Sequence, residues 1–326
     1  MDGRTRLIRH LADGRFHSGE ALGKALGISR AAVWKQMRGL EALGLSVHSV
    51  RGRGYRLAEP LELLDPDRLR ARLSPQGRQL LACLEVLDEI DSTNRHLMDR
   101  AGGGGRSGEA ALAERQTAGR GRRGRGWYSP FAAHCYLSLL WRFGEAPLPS
   151  GLSLTAGVAA ARALERLGVA GVRLKWPNDL SWEGRKLGGI LIELAGESAG
   201  PCAAVAGVGI NVRMPAGAEP APIDQPWIDL VRIAGRAAPG RNAVAAGVLD
   251  ELLVSLARFE REGFAPFRSE WERRDALAGR AVEVRSHDRV EHGRAVGVDE
   301  GGAFLVARGG ETRRYVSGEV TVRAAP

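Results

Sequence analysis

Cysteine is scarce in this chain. Three cysteines in 326 residues (Cys83, Cys135 and Cys202) lie far apart in apolar surroundings, with no CxxC pair. That spacing excludes a disulfide framework and a zinc site readable from sequence. Long apolar runs are also missing: no stretch approaches the ~18 residues of a membrane span. The first residues, MDGRTRLIRHLADGRF, hold no signal-peptide core. A cytoplasmic chain with no membrane contact and no resident protein-held metal is the expectation. The signature G-x-x-x-x-G-K-[ST] is absent, which removes P-loop chemistry. Glycine is the residue in excess, at 44, and it gathers in loops rather than in a fibrous repeat. With 44% apolar and 26% charged residues, 326 positions suit a soluble globular protein of two or three domains.

The net charge of +9 is unevenly placed. Residues 1–60 hold eleven Lys/Arg against five Asp/Glu, a surplus of six, so the other 266 residues share only +3. A small basic module on a near-neutral body points to a nucleic-acid contact at that end. Its pattern agrees. Leu7, Ile8 and Leu11 fall on one helical face. Ser18 and Ser29 stand where N-caps belong, with Glu20 in a first turn and Gly27 at a turn between two helices. Val33, Met37 and Leu40 continue the buried stripe, which leaves Arg30, Lys35 and Arg38 on the open side. Two strand-like stretches, 47–50 and 55–57, flank Arg51-Gly52-Arg53-Gly54, a hairpin tip with two arginines. This reads as a winged helix-turn-helix, whose DNA contacts would be Ser29, Arg30, Lys35, Arg38, Arg51 and Arg53. A helical dimerisation module with a solvated basic face is the alternative.

Pro60 and Pro66 punctuate a linker. A mixed α/β body is expected over 67–275. Strands are predicted at 84–90, 110–116, 134–143, 172–174, 180–182, 186–195 and 203–212, with helices at 150–168 and 241–262. From 276 the pattern becomes short strands with Gly or acidic turns, which fits a small barrel of the SH3 type. The expected class is α+β, with domains at 1–62, 67–275 and 276–326.

The segment GRGRRGRGW at 119–127 is the most informative. It matches G-x-G-x-x-G by composition alone. A dinucleotide fold needs a helix directly after the glycines and an acid about 20 residues later, and neither follows. What remains is a loop with exposed backbone N–H groups and four guanidinium forks, chemistry suited to phosphates and carboxylates. An RNA-binding Gly/Arg segment is the alternative, although such segments favour tails and this one lies between predicted strands. The second segment, KWPND at 175–179 followed by RKLGGI at 185–190, offers Lys186 beside two glycines. A lysine drawn inward there can neutralise a carboxylate and a phosphate together. Glycines in GVGIN at 207–211 repeat the sign of a close approach to a strand.

Taken in order, IDSTN (90–94), QTAGRGRRGRGW (116–127), KWPNDL (175–180), RKLGGIL (185–191) and GVGINV (207–212) resemble the bacterial biotin–protein ligases. With HSGEALGKALGISRAAVWKQ (17–36) and RGRGY, the chain resembles the bifunctional members that also repress the biotin operon. The resemblance covers essentially all residues. It implies a catalytic domain of the class II aminoacyl-tRNA-synthetase-like type. It implies an ATP-dependent enzyme that makes biotinyl-5′-AMP and passes biotin to a lysine of a biotin carboxyl carrier protein. Ser92, Thr93, Asn94 and Gln116 would hold biotin. Arg120, Gly121 and Arg122 would close over carboxylate and α-phosphate, and Lys186 would act on the same groups, with Arg122 and Lys186 as the catalytic pair. Arg123, Arg125, Trp127, Asn178, Asp179 and Asn211 would serve ATP and its Mg²⁺. Operator DNA and a second copy of the chain are the remaining implied partners.

Overall fold

The computed structural model of the chain describes residues 3–144, 149–196, 201–215, 223, 225–285, 289–316 and 321–324. The N-terminal stripe does what its spacing predicts. Helices α1 (Gly3–Leu11), α2 (Gly19–Leu26) and α3 (Arg30–Leu40) bury Leu7, Ile8, Leu11, Leu22, Val33, Met37 and Leu40 in one small core. Ser18 Oγ accepts the Ala21 N–H and Ser29 Oγ accepts the Ala32 N–H, so both predicted caps form. Strands β1 (Val47–Val50) and β2 (Gly54–Leu57) pair antiparallel, closing the hairpin at Val50 opposite Gly54. Gly54 is obligatory: its φ is 100° and a Cβ there would lie 2.0 Å from the His17 carbonyl oxygen.

Residues 60–66, which read as a linker, are packed. Leu64 is fully buried. Pro66 opens a helix, α4 (Pro66–Arg72), whose cap is Asp65; α5 (Pro75–Leu80) follows. Both short helices escaped the sequence pattern because they are too brief to show a period. They carry Ser74 to Asp250, whose Oδ1 accepts from both Ser74 N–H and Oγ–H.

The body is one seven-stranded sheet. Its strands are β3 (Cys83–Leu87), β4 (Glu109–Ala113), β5 (Cys135–Phe143), β6 (Arg173–Lys175), β7 (Asp179–Trp182), β8 (Arg185–Gly196) and β9 (Cys202–Ile210), with α6 (Thr93–Gly102) between β3 and β4. They lie in the order β3-β4-β5-β9-β8-β7-β6. Only the β3/β4 pair is parallel, which α6 explains as a crossover helix. The β7/β8 hairpin turns at Glu183 and Gly184, both with positive φ, as predicted. Helices α7 (Pro149–Arg166) and α9 (Arg241–Glu262) cover one face with Leu137, Leu139, Ala204, Ala206 and Val208. On the other face α6 covers only one end, through Leu97, Ala101, Ala111, Leu140, Ala203 and Val205. Strand alternation then dictates what the uncovered part of that face carries: Ser138 on β5, Gly207 and Gly209 on β9, and Gly189, Leu191 and Glu193 on β8.

After α8 (Leu230–Ala234), α9 and α10 (Ala265–Arg274) comes a five-stranded antiparallel sheet. Its strands β10 (Ala281–Arg285), β11 (Val290–Val298), β12 (Phe304–Arg308), β13 (Glu311–Tyr315) and β14 (Thr321–Ala324) run in the order β13-β12-β11-β10-β14. Its apolar side joins the main core through Val282, Val284, Ala295, Val298 and Phe304. Trp176 is the hinge-pin: its ring stacks on Phe304 at 5.2 Å and its Nε1–H donates to the Gly302 carbonyl. No helix among the described residues is long and apolar enough to cross a membrane.

Candidate active site and nucleic-acid interface

The uncovered half of the sheet is the floor of a cleft. Its lining includes Ser92, Thr93, Asn94, Gln116, residues 120–123, Arg125, Trp127, Asn178, Asp179, Lys186 and Asn211. Every residue that the resemblance placed on biotin or ATP therefore converges on one cleft, from five separate segments. Ser138, Lys175 and Trp227 line it too and were missed. Ser138 had a readable signal, a lone serine inside a buried apolar strand. Trp227 had none, since it sits in an aperiodic stretch.

One wall is a polar relay at the start of α6. Ser92 caps the helix, and Ser92, Thr93 and Asn94 are all buried. Gln116 Oε1 accepts from the Thr93 N–H (2.9 Å) and hydroxyl (3.1 Å). Ser138 Oγ donates to Asn94 Oδ1 (2.6 Å) and lies 2.8 Å from Thr93 Oγ1. Asn94 Nδ2 donates to the Leu191 carbonyl (3.2 Å) and to Glu193 Oε2 (2.8 Å), which fixes its amide orientation. Gly207 makes room for this: a Cβ there would lie 2.2 Å from Asn94 Oδ1.

The Gly/Arg loop forms the roof. It folds on itself through Gly121 N–H to Arg125 carbonyl (2.7 Å) and Trp127 N–H to Gly119 carbonyl (2.8 Å). Two of its arginines reach the sheet: Arg120 contacts Glu193 (3.2 Å) and Arg122 Nη1 donates to Asn178 Oδ1 (3.3 Å). Burial lowers the Arg122 pKa, with Asp179 opposing that shift. Arg123 and Arg125 are exposed at the rim. Trp127 lies on the glycine floor. A Cβ on Gly209 would come within 2.6 Å of its ring, and Gly189 is its neighbour across the β8/β9 ladder.

Lys186 is drawn inward as its glycine neighbours predict. Its ammonium pairs with Asp179 Oδ1 at 2.7 Å and stands 5.6 Å from the Trp127 ring centroid. Asn211 does something the sequence did not suggest. Its Nδ2 donates to the Ile228 carbonyl (3.1 Å), while Lys186 N–H and carbonyl bond Pro226 and Ile228. The result holds Trp227 at the cleft edge, with Arg232 stacked over it at 4.2 Å.

The second surface is on the winged unit. Arg30, Lys35 and Arg38 on α3 and Arg51 and Arg53 on the hairpin tip are exposed. Ser29 faces solvent, but its hydroxyl is engaged as the α3 cap. Trp34, absent from the sequence-derived set, is 52% exposed on the same face, and Arg38 lies over its ring at 5.1 Å.

Comparison with known proteins decides among the readings. Residues 86–211 match the Biotin/lipoate A/B protein ligase family, residues 4–56 an HTH domain and residues 278–323 the Biotin protein ligase C terminal domain. The Bifunctional ligase/repressor BirA of Salmonella typhimurium is 44% identical over 98% of this chain and 97% of that protein. This chain belongs to the biotin protein ligase family. The BirA of Escherichia coli is 42% identical over 98% of this chain and 97% of its own length. Among solved structures, the biotin protein ligase from Aquifex aeolicus in complex with biotin and ATP superimposes with a TM-score of 0.64. It is 29% identical and covers 75% of this chain and 100% of that one. The HTH match favours the winged helix-turn-helix over a helical dimerisation module, and the ligase match at 86–211 contains the Gly/Arg loop.

Proposed function

We propose that this chain activates biotin with ATP, transfers it to a lysine of a biotin carboxyl carrier protein, and represses transcription when its adenylate accumulates. The convergence of Lys186, Arg120 and Arg122 over a glycine floor, beside the relay of Ser92, Thr93, Asn94 and Gln116, carries the catalytic half of this reading. A ureido ring has two N–H donors and one carbonyl acceptor, and hydroxyls with carboxamides answer both needs. The carboxylate of the ligand then points toward Lys186 and Arg122.

The carboxylate must be activated because it does not react with amines near neutral pH. Its oxygen attacks the α-phosphorus of ATP, the α–β phosphoanhydride bond breaks, and pyrophosphate leaves. Lys186 and Arg122 offset the charge that gathers on both partners. Lys186 must exchange part of its pairing with Asp179 for the substrate oxygens. Asp179 is the carboxylate beside Lys186 in the cleft and would be the residue to hold a Mg²⁺ brought in with ATP. That ion, arriving with ATP, would supply charge neutralisation. Trp227 and Trp127 offer aromatic faces to the adenine, and Arg123 and Arg125 offer forks to the phosphates; Asn211 serves by holding the Trp227 segment. In the second step the acceptor ε-amine attacks the acyl carbon and AMP leaves. A roof is needed because water would otherwise take the amine's place.

The winged unit would place α3 in a major groove, with Arg30, Lys35, Arg38 and Trp34 toward base edges and Arg51 and Arg53 on phosphates. Two copies on a two-fold operator are required for useful specificity. We assign the limits 1–62, 67–275 and 276–326 to the winged unit, the catalytic unit of synthetase-like type and a C-terminal barrel of SH3 type, and the cytoplasm to the whole. The test mixes purified chain with biotin, ATP and a carrier domain. Pyrophosphate release and a single biotinyl mass increment on the carrier support the enzyme; neither appearing refutes it. A gel shift on the chain's own biotin-synthesis promoter that ignores biotin plus ATP would refute the repressor.

A further inference from the structure

Strand β8 delivers three residues to the cleft face at alternate positions: Gly189 beneath Trp127, Leu191, and Glu193. Glu193 has no role in the reading above, yet its carboxylate ties two walls of the cleft together. Oε2 accepts Asn94 Nδ2 at 2.8 Å, and the two oxygens lie 3.2 and 3.3 Å from Arg120 Nη2. Asn94 starts the polar relay, whereas Arg120 belongs to the roof. The ion pair is partly shielded, with side-chain exposures of 37% for Arg120 and 25% for Glu193.

We propose that Glu193 is a positioning residue with two separable duties. It sets the Asn94 amide so that Oδ1 faces Ser138 and the relay keeps one polarity. Through Arg120 it also latches the Gly/Arg roof onto the sheet, which keeps the acyl-adenylate from water and from escape. The roof's backbone bonds close mainly on the loop itself, at Gly121 with Arg125 and Gly119 with Trp127. Its hold on the sheet therefore depends on side chains, and Arg120 with Glu193 is the charged tie nearest the biotin wall. Arg122, the other tie, has to serve the reacting groups. Arg120 gives only Nη2 to Glu193, so this tie can hold the roof while the rest of the fork faces the ligand.

The inference rests on the ligase reading, and Glu193→Gln separates the two duties. Glutamine retains an oxygen acceptor for Asn94 but offers Arg120 a neutral amide. Without carrier protein, the wild-type chain should retain biotinyl-AMP. In Glu193→Gln the adenylate should be lost, by release or by hydrolysis to biotin and AMP, about tenfold faster or more, while KM for biotin moves less than about threefold. Arg120→Gln should accelerate loss to the same degree. The double variant should lose adenylate no faster than either single, because both act on one contact. Unchanged retention in Glu193→Gln, or accelerations that multiply in the double variant, overturns the latch. Glu193→Ala, which removes both duties, should add a rise in KM of about tenfold; a KM equal to that of Glu193→Gln overturns the assignment to Asn94. A wild-type chain that releases no pyrophosphate with biotin and ATP would instead refute the ligase reading.

Discussion

Two arginine-bearing regions of this molecule use the same chemistry to opposite ends. At the junction between the winged unit and the body, Arg241 is buried, with Nε and Nη1 engaged and Nη2 without a hydrogen-bond partner. Its Nη1 donates to Glu114 Oε2 (2.6 Å) and to the Glu62 carbonyl (2.7 Å), and its Nε donates to the His134 carbonyl (3.0 Å). Glu114 Oε1 accepts the Leu64 N–H, and the Glu62 carboxylate accepts the N–H groups of Arg241 and Asn242 at the start of α9. Beside it, Phe131 and Ala132 leave the body and enter the winged-helix core. His134, fully buried, has its pKa lowered to about 3 by desolvation, so it stays neutral and accepts the Val212 N–H at Nδ1. In the Gly/Arg roof, by contrast, four arginines sit within nine residues of a glycine-rich loop, and Arg120 and Arg122 reach Glu193 and Asn178 at the sheet. A buried guanidinium engaged by carboxylate and carbonyl oxygens fixes architecture; guanidinium groups on a glycine-rich loop above a cleft face a ligand. The segment 128–134 runs directly from the roof into the junction, so the two regions share one piece of backbone.

The comparison is broken most severely at the junction. Glu114→Ala leaves Arg241 buried without its carboxylate and should cost about 3–5 kcal/mol of stability, read by chemical denaturation. A loss below about 1 kcal/mol would show that the junction is not the structural half. Lys186→Ala should do the reverse: adenylation falls about 10²–10³-fold, while the denaturation midpoint stays close to wild type. Pyrophosphate release at near-normal rate would exclude Lys186 from the chemistry.

A further buried charge sharpens the rule because the charge of Arg173 does not outweigh its burial. Asp275 sits where β6 meets the C-terminal sheet; its Oδ1 accepts the Leu277 N–H and its Oδ2 has no hydrogen-bond partner. Desolvation raises its pKa from 3.8 to about 6. Since folding raises the pKa, the folded chain holds this proton more tightly. The contribution is full below pH 3.8 and is lost as pH rises through about 6, a difference on the order of 2–3 kcal/mol. Asp275→Asn should therefore gain about 1–2 kcal/mol at pH 7.5 and nothing at pH 4, checked by melts at both values. Equal shifts at the two pH values would contradict this. The smallest effect belongs to the exposed end of the molecule. Ser29→Ala removes the α3 cap and should cost about 1 kcal/mol, with promoter affinity lowered by no more than that loss explains. A larger affinity loss with unchanged stability would make Ser29 a direct DNA contact.

Much of this architecture was legible before any coordinates. The caps at Ser18 and Ser29, the arginine hairpin tip, the 22-residue α9 and the Glu183-Gly184 hairpin follow from local rules, because capping, periodicity and turn chemistry act over a few residues. The predicted cleft residues were named through the family resemblance, while glycine and charge pointed to the Gly/Arg loop and Lys186. What stayed hidden was non-local. Glu62, Glu114 and Arg241 are ordinary surface residues to a sequence reader, until a seven-stranded sheet brings positions 127 and 179 residues apart within hydrogen-bonding reach. Asn211, expected at the nucleotide, lines the cleft and also donates its Nδ2 to the Ile228 carbonyl beside Trp227. Glu193 looked like one more polar strand residue, and only strand register turned it toward Arg120 and Asn94. Sequence by itself determined the elements, the basic head and the residue types at the cleft. Tertiary structure alone decided which arginines are buried at the junction and which stand over the cleft, since burial and hydrogen-bond partners are properties of neighbours in space.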